Sequence, residues 1–146
     1  MKNITITTNF RVAEKAEIAK LAATKLLACG ANLVLPNFAK GIIPESENVK
    51  FVVPEKVYEN IDLVVVIGGD GTVLEAARRA ATRCTPILGI NKGRLGYMTA
   101  IEVDELNLLE EVFNGNYSFD DRAMLDVQLL HNGKPLYLSR ALNDAV

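Results

Sequence analysis

Ile61-Asp62-Leu63-Val64-Val65-Val66-Ile67-Gly68-Gly69-Asp70-Gly71-Thr72 is the stretch on which the reading of this chain turns. After Asp62 the run shows no polar alternation, so a strand built from it is apolar on both sides. Such a strand belongs in the middle of a parallel sheet with helices covering both faces. Three glycines and an aspartate then break it. Val73, Ala77, Ala80 and Ala81 follow at helical spacing, which predicts a buried strand, a tight turn and a helix.

The same grammar repeats on both sides of that stretch. Upstream, Asn3 to Thr8 alternates Ile with Thr and predicts a first strand, and Ala19, Ala22, Ala23, Leu26 and Leu27 make one helical stripe. Gly30 stands where a helix C-terminus favours positive φ. Leu33 to Leu35 predicts a short strand stopped by Pro36, and Lys50 to Val53 another among the loops of 36–60. Downstream, Pro86 to Ile90 reads as a second buried strand, Asn91 to Tyr97 as a glycine-punctuated loop, and Leu106, Leu109, Val112 and Phe113 as a third helix. Strands alternating with helices predict an α/β fold with a doubly wound, mostly parallel sheet. After Ser118 the pattern changes to Arg122–His131, Asn132-Gly133 and Lys134–Ser139, two alternating strands around a hairpin turn. The expected division is therefore an α/β nucleotide-binding domain over 1–118 and the opening strands of a β-rich domain over 119–146.

Composition narrows the function. The chain has 146 residues, 49% of them hydrophobic, and a formal charge of −2. No nucleic-acid partner is expected from bulk charge, and no apolar run reaches the roughly eighteen residues of a membrane span. The N-terminus reads as a strand and not a secretion signal. Cys29 and Cys84 show no paired or metal-ligand spacing, so two buried thiols in a reducing, cytoplasmic setting are expected.

The chemistry concentrates at two strand ends. In an open α/β sheet ligands bind at the carboxyl ends of the strands, and Gly68, Gly69, Gly71 and Thr72 lie at such an end. Glycines there let the backbone approach an anion, and the helix that follows adds its positive dipole end. Asp70 in that position makes sense as a metal anchor or as the base that orients a hydroxyl nucleophile; the plainer alternative is a turn in which Asp70 or Thr72 caps the helix. A P-loop is excluded because no glycine precedes Lys-Ser or Lys-Thr, and the dinucleotide fingerprint fails at Leu74. Asn91-Lys92-Gly93-Arg94-Leu95-Gly96-Tyr97 follows the next buried strand and should share the rim. Lys92 and Arg94 could meet phosphates and Tyr97 a base or sugar, or the segment could be an ordinary loop with two solvated cations. Arg78, Arg79 and Arg83 read as a solvated helix face, with Glu75 and Arg79 paired at i, i+4. The single histidine, His131, abuts the hairpin turn, and no Ser or Thr has a plausible histidine base.

Gly68-Gly69-Asp70-Gly71-Thr72-Val73-Leu74-Glu75-Ala76-Ala77-Arg78 together with Gly89-Ile90-Asn91-Lys92-Gly93-Arg94-Leu95-Gly96-Tyr97-Met98-Thr99 resembles the NAD kinases. Diacylglycerol-type lipid kinases and phosphofructokinases carry loops similar to the first block; the second is more specific. Ala141-Leu142-Asn143-Asp144 resembles a third family element. The resemblance covers essentially all of the chain, as the N-terminal half of such an enzyme. It implies ATP-dependent phosphorylation of the adenosine ribose 2′-hydroxyl of NAD, with Mg²⁺ or another divalent cation, in a protein that is a homo-oligomer at full length. Under it, Asp70 is the base or orienter of that hydroxyl, and Gly68, Gly69, Gly71 and Thr72 line the phosphate site. Tyr97 lies near the NAD adenine, and Asn143 and Asp144 contact the substrate's adenine and ribose; Asn91, Lys92 and Arg94, from the loop's own chemistry, are taken with them as candidate cofactor-binding residues. Ala100 stands where the family usually has an acidic residue, and a Thr-Ala-Tyr element of the β-rich domain has no counterpart. The isolated chain is accordingly expected to be a weak or inactive kinase. The alternatives are a lipid or sugar-phosphate kinase sharing the loop, or a non-catalytic nucleotide-binding paralogue.

Overall fold

The computed structural model describes residues 2–93 and 96–142. The chain runs through β1 (Asn3–Thr7), α1 (Ala13–Ala28), β2 (Asn32–Pro36), β3 (Val49–Val52), β4 (Leu63–Gly68), α2 (Asp70–Ala80), β5 (Ile87–Asn91), β6 (Ile101–Glu102), α3 (Leu108–Phe113), β7 (Met124–His131) and β8 (Lys134–Leu142). The first six strands form one sheet in the order β3-β2-β1-β4-β5-β6, parallel throughout. The last two form a separate antiparallel pair.

β4 lies inside this sheet and every one of its residues is buried. Its alternation sorts them onto two faces. Leu63, Val65 and Ile67 join Ile6, Leu26, Leu33 and Leu109 under α1 and α3, whereas Val64 and Val66 join Tyr58, Val73, Ala76 and Ala80 under α2. The helices approach closely because their inward residues are small: Ala19, Ala22 and Ala23 on α1 and Ala76 on α2 are fully buried.

The helix and turn punctuation follows the sequence. Gly30 has φ 89°, and the Gly30 and Ala31 N–H groups bond the Leu27 and Leu26 carbonyls at 2.9 and 3.0 Å. This paired closure of a helix end is one that glycine makes easy. Asn132 and Gly133 both have positive φ, 50° and 72°, as a tight hairpin turn of the kind matching strand twist requires.

Four expectations are revised. β6 was not expected, because its two residues carry no periodicity of their own; it exists through pairing with β5. β8 continues past Ser139 to Leu142, since Met124 offers a partner to the last residue. The third helix begins at Leu108, after a 3-10 turn at Val103–Glu105. Finally, among the described residues both thiols are free, but Cys84 is exposed and Cys29 half-buried, against the expectation of two buried thiols. Cys84 sits at the end of a 3-10 turn in the left-handed region, φ 50°.

Asp62 closes the end of the sheet opposite the strand tips that carry Gly68 and Asn91. Its Oδ2 accepts the N–H groups of Lys2 and Asn3 at 2.7 and 2.9 Å. These bonds, Asn3 first and Lys2 next, hold its carboxyl below the ordinary aspartate range. A folded pKa below the unfolded one contributes stability that is present above the unfolded value and lost as pH falls through the folded one. Asp62→Asn is therefore expected to flatten the acid limb of stability against pH, read by urea unfolding at neutral and acid pH; an unchanged limb removes the effect. Within α1, Leu26 is 1% exposed and Leu21 53%. Leu26→Ala should cost about 2–5 kcal/mol and Leu21→Ala about 0.5 kcal/mol or less, compared by denaturant midpoints.

Candidate functional site

The parallel register brings the two glycine loops together. Gly68, the last residue of β4, pairs with Asn91, the last of β5, and the Lys92 N–H donates to the Gly68 carbonyl at 3.0 Å. The loop that leaves at Lys92 returns to the same strand, where the Ala100 N–H donates to the Gly89 carbonyl at 2.9 Å. Next door, the Thr8 hydroxyl donates to the Ile67 carbonyl at 2.8 Å and ties the end of β1 to the end of β4. The strand order reverses between β1 and β4, the place where open α/β sheets present ligand crevices. The shared rim of residues 68–72 and 91–99 lies on and beside that point.

Asp70 starts α2 without capping it. The N-cap is Gly69, and no described side chain caps this helix end, which sets aside the plainer reading in which Asp70 or Thr72 does so. The Asp70 carboxylate instead reaches across to the other loop. Its Oδ2 accepts the Tyr97 N–H at 3.1 Å and its Oδ1 the Met98 N–H at 3.0 Å. Both oxygens are thereby aimed by rigid backbone, and the carboxylate is fixed between the helix N-terminus and the second glycine loop.

Two glycines explain how the approach is possible. A Cβ on Gly96 would stand 2.7 Å from Thr99 Oγ1 and 3.0 Å from Asp70 Oδ1, and one on Gly89 would stand 2.9 Å from Thr99 Cα. A side chain at Gly89 would meet the backbone of Met98 and Thr99, and one at Gly96 would crowd the side chains of Thr99 and Asp70. Gly69 and Gly71 differ: nothing described lies within 4 Å of where their Cβ atoms would be. No packing demands glycine there, and the bare backbone faces open space beside the free N–H groups of a helix start.

Of the other expected residues, Asn91 is buried and its Nδ2 donates to Glu102 Oε1 at 2.9 Å. Its Oδ1 has no hydrogen-bond partner and stands 3.6 Å from the Gly96 Cβ position. Lys92 turns away from Asp70 toward α1, pairing with Glu14 at 3.3 Å. Tyr97 projects outward, 84% exposed, and is free to offer a flat face. Arg94, Asn143 and Asp144 lie outside the described residues. Thr99, Met98 and Glu102 were not singled out from sequence. Gly96 and Thr99 stand within the quoted loop, but nothing marks Glu102, whose role depends on the β5–β6 register.

The remaining charges behave as a helix face. Glu75 pairs with both Arg78 and Arg79, the latter at 3.0 Å, and the Arg78 bond first, with Arg79 after it, lowers the Glu75 pKa. His131 is exposed at the end of β7. Among the described residues no group of three or more His, Cys, Asp or Glu gathers as a metal site, and no helix is long and apolar enough to cross a membrane. A groove of about 850 Å³ runs from Gly89 and Met98 past Cys84 and Tyr117 to Arg140. Its lining includes Leu63, Thr85 and Pro86 at or just before the starts of β4 and β5, and of the rim residues only Met98.

Known proteins share this architecture. The family model described as the ATP-NAD kinase N-terminal domain matches residues 4–117. An NAD kinase of Azoarcus sp. (strain BH72) is 46% identical over 93 residues, 63% of this chain and 32% of that protein. One from Caldanaerobacter subterraneus subsp. tengcongensis is 33% identical over 147 residues, all of this chain and 51% of that protein. The crystal structure of yeast NADH kinase complexed with NADH superposes with a TM-score of 0.80 at 22% identity, covering 97% of this chain and 46% of that one. The chain thus spans about half, or less, of the length of these relatives, and the yeast structure confirms the fold. On the matched residues, the chain belongs to the family of the ATP-NAD kinase N-terminal domain.

Proposed function

We propose that this chain carries the nucleotide-binding half of an enzyme that phosphorylates the adenosine ribose 2′-hydroxyl of NAD, with ATP or polyphosphate as donor, to give NADP. The observation that carries the reading is the Asp70 carboxylate, held by the Tyr97 and Met98 N–H groups at 3.1 and 3.0 Å on the rim that both glycine loops share. Phosphoryl transfer needs positioning and charge stabilisation more than a strong base. Asp70 orients the attacking hydroxyl and takes its proton as the new oxygen–phosphorus bond forms. The bridging oxygen–phosphorus bond of the donor breaks, and the leaving group departs as ADP or shortened polyphosphate. The bare backbone at Gly69 and Gly71, with the first N–H groups of α2, suits the donor phosphates, and Thr72 lies at the same turn. Tyr97 offers its exposed ring to the NAD adenine. Arg94, by its charge, is read as meeting phosphate, and Asn143 and Asp144 keep the role that the resemblance implies, contact with the substrate's adenine and ribose.

A divalent cation suits the donor set. Oxygens of Asp70, Thr99 and Asn91 lie near Gly96, and a carboxylate beside neutral oxygens is the donor chemistry with which Mg²⁺, keeping waters, is shared with substrate phosphates. Asp70 would hold it, and when bound it supplies charge neutralisation to the phosphates.

Residues 1–118 are read as the nucleotide-binding domain and 119–146 as the first strands of a β-rich domain. The exposed Leu125, Leu129, Leu136 and Leu138 on those strands support this reading, since a two-stranded pair alone buries too little to be stable. The setting we infer is cytoplasmic, with NAD and ATP as partners, no nucleic acid, and a homo-oligomer at full length. We read the isolated chain as weakly active at most.

Labelled ATP offered with NAD, diacylglycerol or a sugar phosphate, followed by chromatographic separation of products, tests the substrate. Label in NADP alone supports the reading; label in lipid or sugar phosphate overturns it, and robust NAD turnover by the isolated chain overturns the claim of weak activity. In the full-length protein, Asp70→Asn should keep the fold and lower turnover by on the order of 10²–10⁴. Arg79→Ala, on the solvated face of α2, should leave turnover as it is.

A further inference from the structure

We propose that Glu102 is a positioning residue that sets the orientation of Asp70 through Asn91; in its catalytic meaning this rests on the function proposed above. The two residues meet because the β5–β6 register pairs Asn91 with Glu102. Glu102 Oε1 accepts the Asn91 Nδ2 at 2.9 Å. A carboxylate oxygen takes only a donor from an uncharged amide, so this bond decides which end of the Asn91 amide faces Glu102. The other end, Oδ1, is thereby turned inward beneath Gly96, 3.6 Å from its Cβ position. Asn91 is 6% exposed, so its amide has little room to choose another rotamer.

The consequence passes along a short chain of contacts. Asn91 Oδ1 lies beside Gly96, 3.6 Å from where its Cβ would be, and the next two residues, Tyr97 and Met98, supply the N–H groups that hold Asp70. A reversed or displaced Asn91 amide alters the surface beneath Gly96 and moves both donors together. Asn91 Oδ1 finds no hydrogen-bond partner. An orphaned buried acceptor costs free energy, on the order of 1–3 kcal/mol, so the amide would not hold this orientation without the Glu102 bond on its other end. Glu102 has a second task, a reciprocal capping box with Glu105 at the turn Val103–Glu105. The Glu102 N–H donates to Glu105 Oε2 at 2.9 Å. A purely structural role for Glu102 would run through that box.

Three variants of the chain separate the two roles, read by ¹H–¹⁵N NMR. Glu102→Ala removes the acceptor for Asn91 and half of the box. Glu102→Gln keeps an amide oxygen that can accept from Asn91. Glu105→Ala removes the other half of the box, the carboxylate that accepts the Glu102 N–H, while leaving Glu102 to Asn91. The positioning role predicts that Glu102→Ala shifts the Asn91 side-chain amide pair and the Tyr97 and Met98 backbone amides, and raises hydrogen exchange at those two amides by at least about tenfold, equivalent to 1.4 kcal/mol of lost protection. Glu102→Gln restores wild-type shifts and protection, and Glu105→Ala leaves them in place. Overturning results are Tyr97 and Met98 signals unchanged in Glu102→Ala, or signals perturbed equally by Glu105→Ala. None of these signals requires NAD phosphorylation, so a failed kinase assay and a failed positioning role are told apart.

Discussion

Burial of β4 on both faces is the constraint from which the remaining architecture follows. A strand with Leu63, Val65 and Ile67 on one side and Val64 and Val66 on the other has no face to give to water. It can be stable only between parallel neighbours and beneath helices on both sides. The crossovers that supply those helices send every strand of the sheet in the same direction, so all the loops at the carboxyl ends gather on one rim. The meeting of residues 68–72 with 91–99 is a consequence of that burial and needs no separate device to bring it about.

What the rim then adds is directional. Asp70 lies at the positive end of α2, and its two oxygens are taken by N–H groups from a loop 27 and 28 residues away. A carboxylate that accepts two backbone donors is held without ordering a partner side chain, since the donors belong to a chain pinned at Lys92 and Ala100. Pre-set geometry of this sort is what phosphoryl transfer uses most. The bare backbone of Gly69 and Gly71 leaves the approach to it open.

The fold was legible where the sequence carries periodicity and punctuation. The apolar run at 63–67, the alanine stripe of α1 and the Asn132-Gly133 turn each state their structure locally, and each is found as read. The shared rim was legible too, because two buried strands each ended in a glycine loop. The hydrogen bonds between the loops were not, since Asp70 reads equally well as a cap when its distant partners are unknown. Lys92 reads from its position either as a phosphate contact or as a solvated cation, and its pairing with Glu14, an α1 residue whose proximity only the tertiary fold provides, is a third outcome that the sequence does not announce. β6 and Glu102 carry no local signal at all: two residues have no period, and their meaning comes from alignment beside β5.

The clip made by Asp62 divides the molecule's labour. It fastens the first residues of β1 to the approach of β4 at the foot of the sheet, a full strand length from the rim where Asp70 and its donors lie. The acid-sensitive clip and the proposed site are seated at opposite ends of the same sheet. A change at Asp62 can therefore alter how firmly the protein holds together as acidity rises, while the carboxylate at the far end keeps its own backbone donors.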